Sequence, residues 1–115
     1  MDDNAGAPQP HRISVEEIEG TMIVRLRGEI DAGERDSASR CMVAVVQSAA
    51  PLVIDTSEVT FIDSSGLAFL LQLQGVATDA GRAVSLRDPS GAVVDLLALV
   101  GLDNLFATSP ESQGV

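Results

Sequence analysis

The chain contains no lysine. Its seven basic residues are all arginines, set against 17 acidic ones, for a net charge of −10 over 115 residues. A surface of that sign repels phosphate backbones and anionic headgroups, which argues against direct nucleic-acid binding and membrane insertion and favours a partner with a basic docking face. Cysteine is nearly absent: Cys41 stands alone, so an intramolecular disulfide is excluded. Within "SRCMVAVVQ" it joins the apolar side of a helical segment, the setting of a buried structural thiol rather than a redox sensor. The one histidine, His11, lies in a polar N-terminal stretch. With neither a second histidine nor a G-x-S-x-G pattern, a serine nucleophile has no base, and a hydrolase is not expected. No glycine-rich phosphate loop occurs, so nucleotide hydrolysis has no support and no cofactor is expected. No uninterrupted apolar run reaches the roughly 18 residues of a membrane span. The opening "MDDNAGAPQPH" has neither the basic start nor the apolar run of a signal peptide, which makes the cytoplasm the expected address.

What is present is one domain's worth of alternating elements. Residues 1–11 and the tail 109–115 lack the apolar residues to hold them down and are expected to be disordered, leaving a domain over 12–108. "ISVEEIE" and "MIVRLRG" flank Gly20 and Thr21. In the second run Met22, Val24 and Leu26 alternate with Ile23, Arg25 and Arg27, which predicts a β-hairpin with one solvated face. From about Glu34 to Ala49 the residues Ala38, Cys41, Met42, Val45, Val46 and Ala49 recur at helical spacing, and Pro51 ends the run. "LVIDTS" (Leu52 to Ser57) reads as an inner strand ending at Asp55. A second helix is expected from Ser64 or Ser65 to about Asp79, stopped by Ala80 and Gly81. "AVSLRD" gives a further strand, "GAVVDLLALVG" a third helix after Asp88, Pro89 and Ser90, and "DNLFAT" a last short strand. The fold class is therefore α/β: a mixed sheet of four to five strands, opened by a hairpin and packed with three to four helices.

The stretch "TFIDSSGLAFLLQLQ" carries the chemistry. A helix start leaves backbone N–H groups without partners, and Asp63, Ser64 and Ser65 are each able to accept from one. Two serines are one more than a cap requires. In one reading they only cap, and Gly66 allows the helix close to the sheet. In the other, the positive end of the helix suits a phosphate carried by a serine there, adding about −1.5 to −2 charges to an already acidic surface. Asp31, Asp55 and Asp63 raise a third option, a Mg²⁺ site at the strand ends, but acids in such places more often cap loops and form turns.

"PLVIDTSEVTFIDSSGLAFLLQLQ" resembles the central signature of the STAS domain as found in bacterial anti-sigma-factor antagonists: a buried strand ending near Asp55, Thr56 and Ser57, an apolar link, then Asp63-Ser64-Ser65-Gly66-Leu67 opening a helix. Upstream, Gly28-Glu29-Ile30-Asp31 resembles the family's G-E-L-D turn. The next residues, "AGERDSA", depart from the family's usual Thr or Ser and Ala, and the tail leaves little room for a further helix. The resemblance implies a non-enzymatic switch. Unphosphorylated, such a protein binds an anti-sigma factor that is itself a serine kinase and brings its own ATP and Mg²⁺; phosphorylation ends the binding, and a serine phosphatase restores it. By position the acceptor is Ser64, with Ser65 secondary. Asp31, Asp63 and Gly66 then shape the partner surface, Leu67, Leu70 and Leu73 hold the helix on the sheet, and Phe69 faces outward as an apolar contact. A monomer or weak dimer is expected. The same resemblance leaves open an accessory subunit of an ABC-type lipid transporter, or a scaffold in which the serines are only caps.

Overall fold

Strands β1 (Ile13–Ile18) and β2 (Thr21–Ile30) form the expected antiparallel hairpin, in register from Ile13 opposite Leu26 to Ile18 opposite Thr21. The structure, a computed structural model, describes residues 12–108; the expectations for residues 1–11 and 109–115 lie outside the described residues. After a single 3-10 turn (Ala32–Glu34) the chain continues as α1 (Arg35–Val46), β3 (Leu52–Ile62), α2 (Ser64–Asp79), β4 (Val84–Arg87), α3 (Gly91–Leu99) and β5 (Ala107–Thr108). The sheet runs β1-β2-β3-β4-β5, antiparallel in its first pair and parallel thereafter. Each parallel strand is added beside the last with one helix between. Because such crossovers are right-handed, an order that never reverses places all three helices on the same face.

Packing agrees with that rule. Met22 and Val24 of β2 lie beside Leu52 and Ile54 of β3, and Ile54 beside Leu86 of β4. These join Cys41 and Val45 of α1, Phe69, Leu70 and Leu73 of α2, and Val93 and Leu97 of α3 in one buried cluster. Each fully buried leucine or phenylalanine contributes about 1.5–3 kcal/mol. The opposite face carries Arg25, which pairs with Glu16 and approaches Asp55 at 4.0 Å, the solvated side that the alternation predicts. Ile23, on that side, is buried but is not part of the main cluster.

The helix ends follow from local chemistry. Gly81 and Gly101, at φ +71 and +75, sit just past α2 and α3. The next residues, Arg82 and Leu102, donate back to Ala77 and Leu97, so each helix closes with the six-to-one bond that a left-handed glycine permits. Arg82 is buried and fastens this corner to the end of α1, donating through Nε to the Ala50 carbonyl (2.7 Å) and through a terminal nitrogen to that of Val45 (2.8 Å). A cation at a helix C-terminus is favourably placed against the helix dipole.

Two expectations need correction. The inner strand does not stop at Ser57 but runs to Ile62, and Gly28, Glu29 and Ile30 are not a turn but the last residues of β2, with Asp31 just beyond it. The pairing of β2 with β3 shifts register between Arg25 and Arg27 and again between Gly28 and Glu29. These bulges change the burial interval of β3 from two residues (Leu52, Ile54, Thr56) to three (Thr56, Val59, Ile62), so the strand continues without continuing to alternate.

Candidate functional site

The ends of β2 and β3 lie side by side. Ile30 pairs with Ile62, and the Asp63 amide donates to the Ile30 carbonyl at 3.3 Å. One residue beyond each strand stands an aspartate in extended conformation, and each starts a helical turn. Asp31 accepts through Oδ1 from the Gly33 amide at 2.9 Å. Asp63 accepts through Oδ1 from the amides of both Ser65 (2.9 Å) and Gly66 (3.1 Å). Asp63 is therefore the cap of α2, and neither serine is. Ser64 and Ser65 are both exposed. The motif alone suggests one capping hydroxyl and one spare; with the carboxylate in the cap, both hydroxyls are spare.

Gly66 is buried at the closest approach of α2 to the sheet. A Cβ there would lie 2.6 Å from Ile62 Cγ1 and 2.8 Å from the Ile30 carbonyl oxygen. Only glycine lets the first turn of α2 sit against the paired strand ends. The stripe that holds the helix continues as Phe69, Leu70, Leu73 and Ala77, all buried. Phe69 thus corrects the expectation that it faces outward: it is 5% exposed and joins Leu70 and Leu73 in the buried cluster, against which the half-buried Leu67 also packs. The physical reason is that Gly66 marks the inner face, and three residues further along a helix is the same face.

Between α1 and α2 runs a groove of about 650 Å³. Asp31, Ser65, Gly66 and the edge of Phe69 line it, so the fold brings these predicted residues to one place, with Asp63 and Ser64 next in the chain. The wall opposite is Met42, Val43 and Val46 of α1, which sequence reasoning does not single out as a surface. A signal for it exists: α1 carries more apolar residues than one stripe can bury, and Cys41 and Val45 already fill the core side. Phe61, half exposed at the end of β3, is a second apolar residue near the serines that the motif does not mark as a contact.

Asp31, Asp55 and Asp63 each accept local hydrogen bonds rather than converging on one point. Asp55 accepts from the Ser57 amide (3.0 Å) and hydroxyl (2.7 Å), and Asp31 and Asp63 are committed to their caps. Among the described residues no group of three or more metal-binding side chains occurs. Cys41 is buried, and burial pushes its thiol up to about 11, which keeps it protonated at neutral pH. No helix among the described residues is long and apolar enough to cross a membrane.

Comparison with known proteins gives this geometry its relatives. The family model for the STAS domain matches residues 12–114. The anti-sigma-B factor antagonist of Bacillus subtilis (strain 168) is 24% identical over 102 residues, covering 89% of this chain and 94% of that protein. Among solved structures, an anti-sigma factor antagonist from Mycobacterium paratuberculosis is similar at a TM-score of 0.74 and 29% identity, over 88% of this chain and 86% of that one. The Bacillus cell fate determinant SpoIIAA in its phosphorylated form is similar at 0.67 and 21%, over 88% and 94% respectively.

Proposed function

The chain belongs to the STAS domain family, and from that premise we propose that it is an anti-sigma-factor antagonist switched by phosphorylation of Ser64. Unphosphorylated, it binds an anti-sigma factor with serine kinase activity and so frees a sigma factor. Phosphorylation of Ser64 ends that binding, and a serine phosphatase reverses it. The protein acts in the cytoplasm by binding, without catalysis of its own.

One observation carries this reading: the carboxylate of Asp63, not a hydroxyl, caps α2, so Ser64 stands exposed with no structural duty at the cap. A kinase can take it without unpicking the helix. A phosphate there adds about −1.5 to −2 charges next to Asp63 and the positive end of α2. The helix end tolerates the dianion, so the fold is kept while the face offered to a partner changes. That a protein of this fold, SpoIIAA, has been solved phosphorylated supports the same view.

The test is the intact mass of the protein from its own cells, in growth and under stress, with fragment mapping across residues 61–74. A phosphate-sized addition on Ser64 in a fraction of molecules is the expected result. Absence of modification in every condition would leave the serines without a switching role and return the transporter-subunit reading, for which co-purification of an ATPase is the check.

A further inference from the structure

Resting on that reading, we propose that the groove between α1 and α2 receives a short amphipathic helix of the partner protein, one with an apolar stripe and arginines or lysines along its rims. The groove's apolar wall is unusual for its exposure. Val43 and Val46 are 57% and 58% exposed, on a helix whose core side is already filled by Cys41 and Val45. Phe69 closes the groove from α2 and Ile13 from β1. Lined along α1 from Arg35 to Gln47, it spans about 18 Å, the length of roughly three helical turns. An apolar trough of that length between two helices accepts a third by the helix-in-groove mode, its anchors spaced three and four residues apart.

Charge selects among occupants. Among the described residues lining the groove, Asp31 and Glu34 are acidic, Glu34 lying 3.9 Å from Arg12, and Arg35 is basic; the chain as a whole carries a net charge of −10. That field draws in a basic segment and turns away an acidic one. A second copy of this chain is disfavoured as an occupant because two chains of net charge −10 repel. Anionic lipid is disfavoured for the same reason. Gln47 and Gln72 on opposite walls offer amides to the flanks of the bound helix. The groove meets the serines at Ser65, so a helix lying in it ends next to the neighbour of Ser64.

The test uses two synthetic helical peptides of about 14 residues with the same leucine stripe, one rimmed with arginine and one with glutamate, titrated into the full chain by NMR. The arginine peptide is expected to shift the signals of Met42, Val43, Val46, Phe69 and Gln72, and to bind at least about tenfold more tightly than the glutamate peptide. Val46→Asp is expected to weaken it by about tenfold or more while lowering the melting temperature by at most about 5 °C, because the side chain is exposed and only the dipole at the end of α1 opposes the charge. Equal affinity for both peptides, shifts centred elsewhere (at Val94 and Leu99 of α3, for example), or no shifts at all would overturn the proposal. No kinase enters this experiment, so its failure leaves the Ser64 reading standing. Absence of Ser64 phosphate, conversely, leaves the groove result intact.

Discussion

Two helices of this protein open on almost the same four residues, and they use them differently. Asp63-Ser64-Ser65-Gly66 precedes α2 and Asp88-Pro89-Ser90-Gly91 precedes α3. At α3 the serine is the cap: Ser90 Oγ accepts from the Val93 amide at 3.4 Å, and the helix begins at Gly91. At α2 the aspartate is the cap and the helix begins two residues earlier in the motif, at Ser64. The cause lies upstream. Strand β3 remains paired with β2 as far as Ile62, which delivers Asp63 in extended conformation where its carboxylate accepts from the Ser65 and Gly66 amides. Asp88 comes after the short β4 with φ +45, a left-handed turn that points the chain elsewhere and leaves capping to Ser90. A serine beside a helix start is therefore spare or employed according to where the preceding strand lets go.

The glycines of the two motifs give the largest contrast to test. Gly66 has no room for a methyl group, whereas a Cβ on Gly91 would meet nothing within 4 Å. Gly66→Ala gains up to about 1 kcal/mol in helix propensity but forces a contact with a backbone carbonyl, a clash that costs about 3 kcal/mol. A net loss near 2 kcal/mol, or a melting temperature lower by about 10 °C, is expected by calorimetry. Gly91→Ala should stay within about 0.5 kcal/mol of the parent. If the two substitutions cost the same, the close packing of α2 on the strand ends is not what fixes its start.

The caps come next in size. Asp63 satisfies two amides, so Asp63→Ala should cost about 1.5 kcal/mol in urea unfolding. Ser90, with one long bond, should cost about 0.5–1 kcal/mol as Ser90→Ala. Reversal of that order would mean that the bond counts do not measure the work of the two caps.

What can be read from the sequence divides along physical lines. The helices and the hairpin follow from apolar residues recurring at helical or alternating spacing, and the stops of α2 and α3 follow from Gly81 and Gly101. The far half of β3 is hidden because two bulges replace a two-residue interval with a three-residue one, leaving Ser57, Glu58 and Thr60 to resemble a loop. Phe69 is easily misplaced because α2 is apolar on most sides, and only the packing of Gly66 tells which side is in. The choice of cap among Asp63, Ser64 and Ser65 is undecidable locally, because all three have the chemistry and the decision rests on a strand pairing far back in the chain, at Ile30. The residues of the site are legible; their division of labour is not.

The smallest expected effect on stability is the most informative about function. Ser64→Ala removes an exposed hydroxyl that plays no part in the cap, so it should change unfolding free energy by less than about 0.5 kcal/mol. On the proposed reading the same substitution removes the main phosphoacceptor, with Ser65 as the secondary one, and leaves partner binding on, while Ser64→Glu, with a single charge, weakens binding without unfolding the domain. Pull-down of the anti-sigma factor by the parent and both variants, alongside their melting curves, separates the two roles a serine can have here. A loss of about 1 kcal/mol on Ser64→Ala would make Ser64 a structural residue like Ser90, and the distinction between the two helix starts would disappear. An unchanged fold together with a changed partner affinity would show that capping by Asp63 is what frees this serine to be a switch.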